Sequence, residues 1–394
     1  MRKTYTVQEL IDMEYIDAPI DGNHGSIHPK TSDYVPQGVP FLMVNNMIDG
    51  TVDLENCAFI SEEQARRLRK GFAHPGDVLL SHKATIGKTA IVPDKYETVI
   101  LTPQITYYRV KKNINRRYLK YYFDSPDFQA IFANWAGSGS TRAYLGILAQ
   151  RKLPIVLPSI EEQNRIADIL YSLDKKIAEN KNINKNLADL VQTLYKEQFS
   201  DICSADNTGM LSDLCSYSKD KISVSKLNFS TYYSTENMLP NKAGVAEATN
   251  LPKTQQTTFC REGDTLISNI RPYFKKILYC DKECGCSSDV LCFTPTHPRY
   301  AAYLFNTLYV DNFFAFMIAG SKGTKMPRGD KQQIMTYPLI IPSNEELERF
   351  NAIAFPALKQ IHSNRAETKK LSALRDTLLP KLMSGELDVS DIDL

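Results

Sequence analysis

What the sequence has little of narrows its class first. Eight cysteines in 394 residues are too few for a disulfide scaffold in a chain of this length. Eighteen glycines and 20 prolines exclude a collagen-like or linker-dominated chain. Charge of one sign is also missing: 47 basic against 45 acidic side chains leave a net charge near +2. That excludes a histone-like blanket of positive charge, so any nucleic-acid surface must be local. No long hydrophobic run occurs; the most apolar window, Tyr303 to Ala319, is short for a span and interrupted by Asn306, Asp311 and Asn312. The opening MRKTYTVQELIDMEYID turns acidic before any apolar run develops, which argues against a signal peptide. What is present is 43% apolar and 23% charged residues, enough for two or three domains with real cores. These traits predict a soluble, reduced, cytoplasmic protein.

Motifs of catalysis are equally scarce. Ile86-Gly-Lys-Thr89 resembles the end of a phosphate-binding loop, but the glycine required five residues before Gly87 is His82. Cys280, Cys284, Cys286 and Cys292 lack paired zinc-site spacing and read as buried or strand-face thiols. His24 and His28 lie in a glycine-containing loop without a positioned third ligand. There is no dinucleotide fingerprint, no nucleophile elbow and no Asn-Pro-Pro-aromatic tetrapeptide of the amino-methyltransferase kind. These absences predict a non-catalytic chain without a metal or cofactor of its own.

The chain is written twice. Laying 154–200 over 338–384 without gaps gives 16 identities in 47 positions, among them Pro158/Pro342, Glu161/Glu345, Arg165/Arg349, Asn180/Asn364 and Leu194/Leu378. Average composition gives roughly one match in seventeen. Upstream, Phe72-Ala-His-Pro-Gly-Asp77-Val-Leu-Leu-Ser81 echoes Phe259-Cys-Arg-Glu-Gly-Asp264-Thr-Leu-Ile-Ser268 in the same order. Ala136-Gly-Ser138 with Thr141 echoes Ala319-Gly-Ser321 with Thr324. Between these anchors the halves differ freely, so one architecture carries two different surfaces.

The repeated segment predicts a long helix. Pro158-Ser159 opens a run without glycine or proline that continues to Phe199, with Ser159 as N-cap and Glu161-Glu162 in the first turn. Apolar residues recur at Ile166, Leu170, Leu173, Ile177, Leu187, Val191 and Leu194, a coiled-coil stripe with Asn180 and Asn184 at mid-seam. Its second copy runs Phe350, Ala354, Ala357, Ile361, Asn364, Leu371 and Leu378, with Pro356 expected to kink it and Pro380 and Gly385 expected to end it. Forty helical residues would make a rod of roughly 60 Å. Such a stripe needs a partner, and the economical one is the other copy, running antiparallel; each helix packing only on its own domain is the alternative.

The regions between are α+β globules. Strands are expected at Val39–Val44, Asp77–Ser81, Lys88–Val92 and Gln104–Val110, then at Asp264–Asn269, Lys275–Cys280 and Asp289–Phe293. Tyr118–Trp135 reads as a helix pair broken near Pro126, and Arg299–Met317 as one helix. Three surfaces are candidates for nucleic acid. Tyr107 to Phe123 interleaves Arg109, Lys111, Lys112, Arg116, Arg117 and Lys120 with five tyrosines, which suits phosphate contact or simply a solvated hairpin and helix face. Gly137-Ser-Gly-Ser-Thr-Arg142 and Gly320-Ser-Lys-Gly-Thr-Lys325 are small, polar, basic loops at equivalent places, though plain loops are also consistent with them. The strand ends Ser81-His82-Lys83 and Ser268-Asn269-Ile270-Arg271 are the third, because arginine and asparagine suit guanine and adenine edges. The residues singled out for DNA are Lys83, Ser138, Thr141, Arg142, Asn269, Arg271, Lys322, Thr324 and Lys325.

With Leu-Pro-Ile-Val-Leu-Pro-Ser-Ile-Glu-Glu-Gln-Asn-Arg-Ile-Ala (153–167), its second copy from Tyr337, Pro-Gly-Asp-Val-Leu-Leu-Ser (75–81), Gly-Ser-Gly-Ser-Thr (137–141) and Leu-Met-Ser-Gly-Glu-Leu (382–387), the chain resembles the DNA-specificity subunit of type I restriction-modification systems. The resemblance spans the whole chain. It implies two pseudo-symmetric α+β target-recognition domains, each reading one half of a split site in double-stranded DNA, separated by a pair of long antiparallel helices. It implies two methyltransferase subunits as partners, endonuclease–translocase subunits where cleavage occurs, and S-adenosylmethionine, ATP and magnesium in those partners. The expected boundaries are 1–158 for the first domain, 159–200 for the first helix, 201–342 for the second domain, 343–387 for the second helix, and an acidic tail, 388–394. Two rivals stand beside this reading: a bifunctional restriction enzyme with its own active site, and a coiled-coil scaffold that never touches DNA.

Overall fold

The computed structural model describes residues 2–137, 143–201 and 207–389. The chain forms two compact α+β units: residues 1–177 with 369–394, and residues 178–368. Among the described residues no helix is long and apolar enough to cross a membrane.

In the first unit, strand β1 (Val78–Ser81) lies at the centre of a four-stranded antiparallel sheet beside β2 (Ile105–Tyr108), with Leu79 opposite Tyr107 and Val78 opposite Tyr108. All four β1 side chains are buried, and their period of two divides them between two cores. Leu79 and Tyr107 pack with Leu42, Val99 and Leu101 of a second, five-stranded sheet. Val78, Leu80 and Tyr108 face helices α1 (Arg116–Asp124) and α2 (Pro126–Trp135). Asn115 caps α1 by accepting from the amides of Arg117 and Tyr118; Ser125 caps α2, and Pro126 occupies its first turn where no donor is lost. Phe123, Phe128 and Phe132 are fully buried behind β1, each side chain contributing about 1.5–3 kcal/mol by leaving water. Lys3–Thr6 pairs antiparallel with Pro154–Leu157, after which the chain enters α3 (Ile160–Phe199).

The second unit repeats the plan. Strand β3 (Thr265–Ser268) lies beside β4 (Val290–Pro295), with Thr265 opposite Phe293 and Ser268 opposite Val290. Leu266 and Cys292 face a cluster that includes Cys260, Cys280, Cys284 and Cys286 from both sheets, so these thiols fill core. Ile267 and Phe293 face α4 (Ala301–Tyr309) and α5 (Asp311–Ala319). The single helix expected over Arg299–Met317 is therefore two, because Val310 takes an extended conformation and serves both as the end of α4 and the start of α5. Ser125 does the same between α1 and α2; the break is part of the repeated fold and does not need the proline.

The second long helix is α6 (Asn344–Ser384), capped by a reciprocal box in which Ser343 and Glu346 bond each other's backbone amides. It continues as helix through Pro356 and through Pro380, so Pro380 lies inside its last turns, and it ends before Gly385, whose φ is +82°. Within the first unit, Ile166, Ala167 and Leu170 of α3 share a core with Leu378, Leu382 and Met383 of α6, and Arg375 donates to Asp174 at 2.9 Å. Within the second, Asn180 donates to Glu367 at 2.8 Å and Asn364 to Asn184 at 2.9 Å. As numbers on α3 rise, those of the α6 partners fall: the helices run antiparallel in both units. Ile177, Asn180, Ile361 and Asn364 are buried, and Leu173, Leu187, Leu194, Leu371 and Leu378 are half-buried. Packing on a domain alone does not hold, but it accompanies the pairing: Val191, Tyr195 and Phe199 also pack with Phe350 and with α4 and α5 inside the second unit.

Candidate nucleic-acid interface

The strand end after β1 is shaped by backbone bonding. The Gly87 amide donates to the Ser81 carbonyl and the Lys88 amide to Ser81 Oγ, closing a tight turn. The His82 amide then donates to the Gln104 carbonyl at 2.9 Å, its carbonyl accepts from Leu145 at 3.0 Å, and the Ala84 amide donates to Ala143. Ala84 sits at φ +65°, in the left-handed region. Lys83 is exposed, its ammonium 5.9 Å from the centre of the Tyr144 ring.

The second unit builds the same clamp from other residues. The Asn269 amide donates to Asp289 at 2.8 Å, its carbonyl accepts from Gly329 at 3.3 Å, and the Arg271 amide donates to Pro327 at 2.8 Å. Arg271 is left-handed at φ +50°, three residues after Ser268 as Ala84 is three after Ser81. Holding a residue with a Cβ there costs on the order of 1 kcal/mol. The strand end is thus tied to the segment following the helix pair in both copies. The side chains differ: histidine and lysine in one, asparagine and arginine in the other.

Burial marks the same positions. His82 is fully buried; its Nδ1 donates to the Leu145 carbonyl while Nε2 has no partner in the protein. Burial pulls its imidazole below the usual histidine range and keeps the ring neutral. Asn269, also buried, leaves Oδ1 without a partner, and Arg271 leaves Nε enclosed and unpaired. Each such atom costs about 1–3 kcal/mol unless something arrives to satisfy it.

Around Arg271, Lys322 and Arg328 exchange backbone hydrogen bonds, Lys322 pairs with Asp330 at 2.6 Å, and Arg328 pairs with Asp289 at 3.1 Å. Thr324 and Lys325 are exposed at the tip of that loop. Of the remaining residues selected from sequence, Ser138, Thr141 and Arg142 lie outside the described residues. The structure therefore brings Asn269, Arg271 and Lys322 together through Arg328 and Pro327. Sequence reasoning passed over Tyr273 and Phe274, whose exposed rings lie 4.8 Å apart beside Arg271, and Arg328. A proline after an arginine and two aromatics was their only signal.

Much of the basic–aromatic stretch from Tyr107 to Phe123 is architecture. Tyr107, Tyr108, Tyr118, Tyr121 and Tyr122 are core residues. Arg109 grips Asp77 with two bonds, Nε to Oδ1 at 2.9 Å and Nη2 to Oδ2 at 2.7 Å, and Lys120 pairs with Asp124 at 2.8 Å. Lys111 pairs with Asp17, and Arg117 lies 3.5 Å from the centre of the Tyr171 ring. Carboxylates neutralise Arg109, Lys111 and Lys120 of what a linear reading took as a positive stripe, while Lys112 and Arg116 stay exposed.

Comparison with known proteins agrees with this geometry. Residues 23–188 match the model of the type I restriction modification DNA specificity domain. The chain is similar to the type I restriction enzyme MjaIX specificity subunit of Methanocaldococcus jannaschii, at 23% identity over 362 residues, 84% of this chain and 82% of the relative. It is also similar to the putative type I restriction enzyme MjaX specificity subunit of that organism, at 28% identity over 38% of this chain and 36% of the relative. The solved structure of a type I restriction-modification S subunit from M. genitalium shares the fold, with a TM-score of 0.63 at 14% identity over 97% of this chain and 96% of that one. With a match to a specificity domain over residues 23–188, similarity to a specificity subunit along most of its length and the fold of a solved S subunit, the chain is similar to type I restriction-modification specificity subunits.

Proposed function

We propose that this chain is the DNA-recognition subunit of a type I restriction-modification complex and that it reads a bipartite target, one half-site per unit. One observation carries the reading: the clamp that ties Ser81-His82-Lys83 to Ala143–Leu145 recurs at Ser268–Arg271 and Pro327–Gly329 with different side chains. A duplicated frame presenting unlike polar groups is what two different half-sites require. The proposed DNA contacts are Lys83, Ser138, Thr141 and Arg142 in the first unit, and Asn269, Arg271, Lys322, Thr324 and Lys325 in the second. Chemistry is assigned to partners: methyltransferase subunits that bind S-adenosylmethionine, and nuclease–translocase subunits where cleavage occurs.

In this reading the paired α3 and α6 set the distance between half-sites and dock the methyltransferases. Half-sites one turn of DNA apart are separated by ~34 Å, a distance that helices of this length cover. Four added residues lengthen a helix by ~6 Å, close to two base pairs. Four residues inserted in α3 near Asn180, with a matching insertion in α6, should lengthen the undefined spacer of the methylated motif and leave the bases of both halves unchanged. Sequencing methylated DNA from cells that carry the complex reads this directly. Changed half-site bases would refute the separation of ruler and reader.

A further inference from the structure

In the first unit, the segment after Val39–Leu42, the strand end at Lys83 and the turn at Thr102–Gln104 enclose a cleft of about 640 Å³. That volume lies within the range of sites that hold small organic groups. Its polar wall consists chiefly of His28, Asn45, Lys83, Thr102 and Gln104, with Met43 and Pro103 supplying apolar surface.

Unsatisfied polar atoms gather here. Thr102 is only 6% exposed, yet its Oγ1 bonds to nothing in the protein, and the same is true of the buried His28 Nδ1. More than nine in ten buried polar groups in proteins are satisfied, so two on one cleft mark a place where partners come from outside. Lys88, which also lines the cleft, is already engaged with the Met47 carbonyl at 3.2 Å and supports the wall. Outside the cleft's lining, His82 Nε2 and its counterpart Asn269 Oδ1 are also unpartnered, and the amides of these two residues bond the equivalent carbonyls of Gln104 and Asp289.

The chemistry of the wall selects the ligand. The lining holds no carboxylate for a cation, and of its two ammonium groups, Lys83 and Lys88, the second is tied to the Met47 carbonyl. Primary amides beside a hydroxyl and one ammonium match the edges of nucleobases: asparagine and glutamine suit adenine, lysine suits guanine, and threonine serves either. We propose that this cleft reads base edges of the half-site bound by the first unit, with Asn45, Thr102 and Gln104 as specificity-determining residues and Lys83 beside them. The proposal rests on the DNA-recognition reading and assigns its first half to named side chains.

The test maps methylated motifs in cells expressing the wild-type chain, Asn45→Ala, Thr102→Val or Gln104→Ala together with the methyltransferase partner. Preference for the original base should fall by roughly tenfold at one or more positions in one half of the motif, while the other half stays intact. Asn45 is exposed, so its variant keeps the fold and decides the matter if Thr102→Val does not accumulate. Unchanged motifs in both Asn45→Ala and Gln104→Ala would overturn the assignment, as would uniform loss of methylation across all sequences in a folded Asn45→Ala protein. A wild-type complex that methylates without any defined motif would instead overturn the DNA-recognition reading underneath.

Discussion

Asn364 on α6 donates its side-chain amide to Asn184 Oδ1 on α3 at 2.9 Å, and accepts from Gln360 of its own helix at 2.7 Å. Asn364 is 5% exposed, so this amide pair is a buried polar contact in an apolar seam. Such contacts fix register at the expense of stability. Asn364→Leu alone leaves Asn184 Oδ1 without its donor, while the exposed Gln360 amide turns to water, and unfolding in denaturant should show a loss of about 1–3 kcal/mol. Combining it with Asn184→Leu should recover much of that loss, because two apolar partners leave nothing unsatisfied. A double-mutant cycle that sums to zero would show that the two asparagines do not interact.

Asp77 and Arg109 make a different prediction, because here charge serves the fold. Asp77 is 2% exposed and accepts from Arg109 twice and from the His74 amide. Removing one partner of a buried pair costs on the order of 3–5 kcal/mol. Arg109→Ala should therefore lower the melting temperature of the chain markedly, yet leave the salt dependence of DNA binding by the assembled complex unaltered. A drop in the salt slope at full stability would return Arg109 to the nucleic-acid surface.

How far the sequence foretold the molecule follows from the range of the forces involved. The long helices were legible because their signals are local and periodic: Ser159 before α3, Ser343 and Glu346 before α6, and a stripe from Ile166 onwards. The strands at Val78–Ser81 and Thr265–Ser268 were legible because the repeat wrote them twice. The break at Val310 was not, since nothing in that apolar run forbids helix and only packing on β3 and β4 decides it. Charge pairing was the least visible. Asp77 meets Arg109 across 32 residues, and Asp174 meets Arg375 across 201, so no linear window shows that these cations are already partnered. The cleft was hidden for the same reason: Asn45, Lys83 and Thr102 come together only after the sheets have formed.

His362 on α6 gives the second unit a pH dependence. Burial pulls its imidazole down to about 4; Asp281, 3.5 Å away, opposes the shift, while Arg365 and Lys282 add to it. In the unfolded chain the ring titrates near 6.5. Between these values the unfolded state binds the extra proton, so stability is complete above about 6.5 and falls as pH drops towards 4. The loss from this one group is on the order of 3 kcal/mol. His362→Gln should flatten the stability profile between pH 7 and 4, measured by denaturant unfolding at a series of pH values. A profile as steep as that of the native chain would assign the acid sensitivity elsewhere.

Arg271 and Lys325 are expected to contact DNA in different ways, and their surroundings say which. Lys325 is exposed on a loop tip, a flexible point charge suited to phosphate. Lys325→Ala should weaken binding evenly across sequences and reduce the salt slope of the assembled complex by about one unit, with the methylated motif unchanged. Arg271 is held by its left-handed backbone and by the bond from its amide to Pro327, with Nε enclosed. A guanidinium fixed in this way has little rotamer freedom left to lose, which favours two-pronged contact with a guanine edge. Arg271→Ala should cost about 1–3 kcal/mol against the preferred site and relax the motif at one position of one half-site. Arg271→Lys should not restore that preference, because an ammonium lacks the planar fork. If Arg271→Lys instead restores full selectivity, Arg271 supplies charge alone and the base contact falls to Asn269.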